Sequence, residues 1–188
     1  FGVDQNNMYF EDNTFTALIV SDCQLANRYA FRYNEINVVN DAWPLFDLHG
    51  NWTQADGCMY GCFGGEIYGN KIAGKFNVRL VDHRGGKMLI FNNALSVATS
   101  EIQVRNDGVA CQATSNPQPQ LVSESYYWNN RNGASLVPTS LLTGCGGCVA
   151  SPPVENADFF QAAVPFDGSR GVGCGPSTSR PTTCATGV

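Results

Sequence analysis

The sequence predicts an all-β fold in which short strands stack in parallel as the coils of a solenoid. Three observations carry that expectation. A frame built around an asparagine recurs along the chain, the segments between its copies alternate apolar and polar residues, and helix-period segments are almost absent. The frame first appears as Met8-Tyr9-Phe10-Glu11-Asp12-Asn13-Thr14-Phe15. It returns as Ala30 to Ile36, Glu66 to Ile72 and Leu89 to Leu95, and more weakly as Tyr126 to Arg131. Each copy places an apolar residue three positions before an Asn, and in the first four another follows two positions after it.

The anchoring residues are Asn13, Asn34, Asn70, Asn93 and Asn130, spaced by 21, 36, 23 and 37. Two spacings are near one 22-residue turn, and the other two equal a turn plus an insert of roughly 15 residues, within the usual range of repeat lengths. One insert holds Gly50 to Cys62 and the other Cys111 to Gln120; both are rich in Gly, Pro, Asn and Cys, as loops are. Between the Asn copies lie four strand-like segments, Ala17–Asp22, Pro44–His49, Phe76–Asp82 and Glu101–Arg105. A unit of this length supplies two or three short strands and tight corners, and it buries its inward face only when neighbours stack on it. The repeated Asn then has a physical role, since it tolerates a left-handed corner and passes amide hydrogen bonds from coil to coil as a ladder. An antiparallel sandwich with chance turn asparagines is the competing architecture. The division expected is residues 1–135 as coils, and 136–188 as an irregular Cys- and Gly-rich segment that continues or closes the solenoid.

At 188 residues the chain is long enough for one sizeable core. Its 16 acidic and 11 basic residues give a net charge of −5 and leave no basic cluster, which argues against general nucleic-acid affinity. No apolar run approaches the roughly 18 residues of a membrane span. The absence of a leader segment before Phe1 reads as a processed mature chain or a piece of a longer one.

Eight cysteines, Cys23, Cys58, Cys62, Cys111, Cys145, Cys148, Cys174 and Cys184, in a Gly- and Asn-rich, Lys-poor chain suit disulfides in an extracellular, oxidising setting. Free thiols in a cytosolic protein are the alternative. The spacing of Cys145-Gly146-Gly147-Cys148 also matches half of a zinc knuckle, with Cys58 and Cys62 as the only other close pair. Connectivity is open, since eight cysteines allow 105 pairings.

The frames Met8–Phe15, Gly65–Ile72 and Asp82–Asn93, with the tail Asp158-Phe159-Phe160, Phe166-Asp167-Gly168, Gly171–Pro176 and Arg180–Cys184, resemble right-handed parallel β-helix proteins of the pectate-lyase-like superfamily, secreted bacterial members in particular. The resemblance spans roughly residues 8–188 and carries fold more than activity. It implies a polysaccharide cleft along an outer strand face, with lyase chemistry or hydrolysis by paired carboxylates, and Ca²⁺ as the cofactor lyases of this type use. No full catalytic motif of those families is present, so no catalytic role is carried over.

Counting from the anchoring Asn nominates the candidate residues instead. Asp82 and Arg105 each lie 12 residues beyond their Asn, and Arg84 and Asp107 each lie 14 beyond. If coils align, each Asp stands beside an Arg one coil away, with Asp47 and His49 one coil earlier. Asp82, His83, Arg84 and Arg105 are the candidates for chemistry. Asp47, His49, Asp107 and the insert aromatics Trp52 and Tyr60 are the candidates for holding a glycan. Surface ion pairs, a hydrogen-bonded corner His83 and a loop lid account for the same residues without function. Two functions follow: an extracellular polysaccharide-associated domain, acting as lyase or hydrolase on uronate glycans, or a non-catalytic adhesive solenoid that self-associates through its ends into a filament.

Overall fold

The computed structural model describes residues 8–23, 28–50, 62, 64–107, 121–143 and 151–163. Among these the protein is all-β, and three sheets account for its strands. The first contains β1 (Met8–Glu11), β4 (Arg28–Arg32), β7 (Gly64–Tyr68), β10 (Lys87–Phe91), β13 (Ser125–Trp128) and β17 (Phe159–Phe160), in that spatial order. The second contains β2 (Thr14–Ala17), β5 (Glu35–Val38), β8 (Lys71–Ala73), β11 (Ala94–Ser96), β14 (Arg131–Asn132) and β15 (Ser135–Leu136). The third contains β3 (Ser21–Cys23), β6 (Phe46–Leu48), β9 (Asn77–His83), β12 (Thr99–Val104) and β16 (Thr139–Leu141). The chain visits the sheets in rotation, and each circuit lays its strands beside those of the circuit before. Every strand pairing is parallel except β14 with β15, which fold back antiparallel. Among the described residues no helix is long and apolar enough to cross a membrane.

Register follows from side-chain pattern. In the first sheet Phe10, Phe31, Ile67, Ile90 and Tyr127 lie opposite one another in turn. In the second the same is true of Phe15, Ile36, Ile72 and Leu95. In the third it is true of Ser21, Phe46, Val81 and Ile102. These columns converge in one core whose Phe31, Phe46, Ile36, Ile67, Ile72 and Ile90 are fully buried. Each such side chain contributes on the order of 1.5–3 kcal/mol relative to exposure. A one-residue slip would turn a whole column outward, so the pattern sets the register.

The corners between the first and second sheets hold the five asparagines as a ladder. The backbone N–H of Asn13 donates to Oδ1 of Asn34 (3.0 Å), Asn34 to Asn70 (3.0 Å), Asn70 to Asn93 (3.1 Å) and Asn93 to Asn130 (3.3 Å). Each Nδ2 donates to the same oxygen. The left-handed bend expected at the Asn itself lies one residue earlier, at Asp12 (φ 59°), Tyr33 (57°), Gly69 (65°), Asn92 (53°) and Asn129 (50°). That placement frees the asparagine to turn its amide along the stack. At Gly69 a side chain would also meet the Tyr33 ring at 2.9 Å, so the corner needs glycine for space as well as for φ.

One further expectation changes, and the disulfide expectation gains one pairing. The apolar run Ala17 to Asp22 is not one strand: β2 ends at Ala17 and β3 begins at Ser21, with Leu18 and Ile19 exposed at the corner between them. Cys62 joins Cys23, 39 residues away, so it does not pair with Cys58 and is not free for a zinc ligand set. Cys58, Cys111, Cys145, Cys148, Cys174 and Cys184 lie outside the described residues, as do Trp52 and Tyr60.

Candidate functional site

The outer face of the third sheet gathers the charged residues nominated from sequence. Asp22, Asp47, Asp82, Gln103 and Ser140 face one another on successive strands. Three stacked carboxylates repel, and cations from the neighbouring positions offset them. Arg84 Nη1 lies 3.1 Å from Asp47 Oδ2 and its Nε donates to Asp107. Arg105 Nη2 donates to Asp82 at 3.0 Å. Arg79 Nε bonds Glu101 at 2.8 Å, and its Nη1 stands 3.7 Å from Asp82. Gly50 allows this closeness: a side chain there would sit 2.7 Å from both the Arg84 carbonyl oxygen and the Asp107 Cβ.

The alternation of Asp and Arg therefore exists, on a different register from equal counting. β9 carries one more residue than β12 in the corner before it, since Asn77 lies opposite Thr99. A bulge at Leu80 adds a second. Asp82 consequently faces Gln103, and Arg105 reaches it diagonally. Burial pushes the Asp47 carboxyl up, but the His49 hydrogen bond and the Arg84 charge outweigh it and hold it below the usual range. Asp82 goes the other way, raised by burial and by the Asp47 charge against the pull of Arg105. Asp82 and Asp107 are each 4% exposed, so among the described residues these two carboxylates sit buried within the ion pairs to Arg84 and Arg105.

Asp22 Oδ1, Asp47 Oδ2 and His49 Nε2 lie within 4.8 Å of one another. They do not fit Ca²⁺, which takes six to eight oxygens. One of the three donors is an imidazole nitrogen, and Arg84 Nη1 already stands 3.2 Å from it.

His83, nominated for chemistry, belongs to the core, fully buried. Its Nε2 lies 3.1 Å from the Gly85 carbonyl oxygen, which only accepts, so Nε2 carries the proton and Nδ1 accepts from the Tyr127 hydroxyl at 2.5 Å. Burial pushes its pKa down to about 4. The unfolded chain binds a proton near pH 6.5 and the folded one does not, so stability falls as pH drops from about 6.5 to 4, by up to roughly 3 kcal/mol. Denaturant titrations of wild type and His83→Gln across that window should show a difference that shrinks with acidity. A constant difference would exclude this role.

The outer face of the first sheet holds what sequence counting passed over. Its outward positions form two rows. One runs Tyr9, Ala30, Glu66, Leu89, Tyr126 and Phe160, and the other Glu11, Arg32, Tyr68, Phe91 and Trp128. The Phe91 ring stacks between Tyr68 (centroids 4.5 Å) and Trp128 (4.2 Å), and Tyr68, Leu89 and Phe91 make a second apolar cluster. At the other end of the face, Tyr9, Arg28, Tyr29, Ala30, Gly64, Gly65 and Glu66 line a hollow of about 60 Å³. Small Ala30 and Gly64 leave the space. Tyr9 stands exposed beside it, and Arg32 lies over the Tyr9 ring at 5.4 Å while bonding Glu11 (2.8 Å) and the Tyr68 hydroxyl (2.7 Å). Burial raises the Glu66 carboxyl, and the Arg32 charge offsets this only in part. Glu66 has no hydrogen bond or ion pair among the described residues, and its carboxyl borders the hollow. The signal was present in the repeat: four positions before the anchoring Asn stand Tyr9, Ala30, Glu66, Leu89 and Tyr126, and Glu66 alone is charged.

No protein-family model matches the chain, and comparison with curated proteins and with solved structures finds no match.

Proposed function

We propose that the three sheets are the faces of a right-handed parallel β-helix of the pectate-lyase-like type, and that it is an extracellular domain acting on acidic polysaccharide at the outer face of the first sheet. Rotation of the chain through three parallel sheets supports the helix, and right-handed crossover is the rule for parallel connections. The Cys23–Cys62 disulfide suits an oxidising compartment.

The Glu66 carboxyl in its hollow, without a hydrogen bond or ion pair among the described residues and with Arg28 and Tyr9 on the rim, carries the functional reading. A hollow of about 60 Å³ admits one substituent of a sugar, not a ring, so the ring would lie above it against Tyr9 with its carboxylate toward Arg28. The chemistry this carboxyl serves is hydrolysis. Protonated Glu66 donates to the glycosidic oxygen as the C–O bond breaks, and water adds to the anomeric carbon and returns a proton to Glu66.

The test is incubation with uronate and neutral glycans, with and without Ca²⁺, following reducing ends and the absorbance of unsaturated products. Reducing ends should appear from uronate glycans without Ca²⁺, and Glu66→Gln should slow their release about 10²–10⁴-fold. Unsaturated products would assign a lyase and remove Glu66 from the role. Absence of binding to any glycan would overturn the reading.

The filament reading draws on β1, β2 and β3, which among the described residues lie outermost at one end of their sheets. Against head-to-tail stacking, the second sheet ends at the opposite pole in the antiparallel β14–β15 turn, which presents no matching edge.

A further inference from the structure

We propose that the outer face of the third sheet, where its strands begin, holds a second glycan-binding site, which takes a neutral hexopyranose unit stacked on Trp43. It lies on a different sheet from the Glu66 hollow and does not rest on the reading given to Glu66. Register sets its members. Ala42 bridges Val78 in parallel, and Asn77 and Arg79 lie opposite Thr99 and Glu101. Alternation turns Asp41, Asn77 and Thr99 outward as one row. Trp43, Arg79 and Glu101 form the next, two residues or about 7 Å farther along. The circuits of β6, β9 and β12 that carry them have a described circuit on either side.

Trp43 is 49% exposed. The Arg79 guanidinium lies over its ring, with Cζ 5.3 Å from the centroid. Arg79 is itself fixed, since its Nε donates to Glu101 at 2.8 Å and its Nη1 stands 3.7 Å from Asp82. Ser140 Oγ donates to the other Glu101 oxygen at 3.1 Å. The indole is thus held ready, which spares a ligand the entropy of ordering it. The row beside it is a hydrogen-bonded chain with acceptors left over. Asn77 gives its backbone N–H (2.9 Å) and its Nδ2 (3.2 Å) to Asp41 Oδ1, and Thr99 Oγ1 donates to Asn77 Oδ1 at 2.7 Å. Among the described residues Asp41 Oδ2 accepts no hydrogen bond, and the Thr99 hydroxyl, its proton spent on Asn77, is left to accept. Both residues are exposed.

This set selects the ligand. An open aromatic surface beside unspent acceptors suits a molecule with a flat C–H face and hydroxyl donors on its rim, which describes a pyranose with equatorial hydroxyls. The two rows carry two acids against one cation, Arg79, whose charge Glu101 already offsets, so a uronate carboxylate is repelled. A protein partner needs a broad contact with an apolar centre, about 800 Å² on each side, and one indole among five polar residues does not supply it.

The test is calorimetric titration of the full chain with cellohexaose and with hexagalacturonate. Cellohexaose should bind saturably, and hexagalacturonate should not displace it. Trp43→Ala should weaken cellohexaose binding about tenfold or more, and Trp43→Phe should retain most of it. Thr99→Val should weaken it about fivefold, with unchanged thermal melting. Glu66→Gln should bind cellohexaose as the wild type does, so failure at the hollow and failure at this face are read separately. No saturable binding of cellohexaose, or binding that both Trp43→Ala and Thr99→Val leave intact, would overturn the proposal. So would displacement by hexagalacturonate at equal concentration, or loss of binding in Glu66→Gln. Self-association of the chain that Trp43→Ala abolishes would assign the indole to a protein contact and equally overturn it.

Discussion

Replacing Asn93 with Ala should destabilise the protein by roughly 3–5 kcal/mol, out of the 5–15 kcal/mol typical of a folded domain. Asn93 is 1% exposed and serves four directions. Its Nδ2 donates to the Ile67 carbonyl oxygen (2.9 Å) and to Asn130 Oδ1 (2.8 Å), and its Oδ1 accepts the Asn70 backbone N–H (3.1 Å) and Nδ2 (2.9 Å). Alanine leaves the Asn70 amide unsatisfied in a site that water does not reach, and an orphaned buried donor costs about 1–3 kcal/mol. A small cavity adds to this. Asn13→Ala, at the exposed end of the same ladder, should cost about 1 kcal/mol or less, because water replaces what is lost. Urea denaturation of the two variants beside wild type makes the comparison. Equal midpoints for Asn93→Ala and Asn13→Ala would remove the ladder as a source of stability.

Severing Cys23 from Cys62 should cost about 4 kcal/mol by chain entropy for a loop of 39 residues. The bridge joins the end of β3 to the approach to β7, so it closes a loop around the circuit of β4, β5 and β6. Both residues are buried, at 2% and 0% exposure, and the Cys62 N–H donates to the His49 carbonyl oxygen at 2.8 Å. A Cys23→Ala/Cys62→Ala double variant avoids leaving a lone thiol. It should melt well below the wild type under oxidising conditions and match the reduced wild type where the other cysteines are also reduced. A double variant with unchanged melting would show that the packing of β3, β6 and β9 suffices without the bridge.

The frame around Asn13, Asn34, Asn70, Asn93 and Asn130 made the stacking legible, because a buried side chain with an obligatory partner in the next circuit must recur at each circuit. Inward strand positions were legible for the same reason: alternation reports which face is dry. Three features were hidden. Counting from Asn70 and Asn93 aligned Asp82 with Arg105, but an added corner residue and the bulge at Leu80 shift the pairing by two, and single insertions leave no mark on composition. The left-handed residue could not be picked out by type, since Asp12, Tyr33, Gly69, Asn92 and Asn129 share no chemistry; the ladder on the following residue forces the bend. The nomination of the third sheet over the first followed charge density. Dense opposite charge on adjacent strands neutralises itself, whereas Glu66, the one acid of its column, has no hydrogen bond or ion pair among the described residues.

The bridge also sets how the molecule bears load. Strands that touch only the circuit before and the circuit after can be peeled off singly when the two termini are pulled apart, each circuit releasing its length in turn. The span from Cys23 to Cys62 cannot be drawn out in this way. About 130 Å of contour, 39 residues at full extension, stays locked until the sulfur–sulfur bond is reduced. A reducing environment would therefore lengthen the stretched chain by that amount, making the disulfide a mechanical stop as well as an entropic restraint.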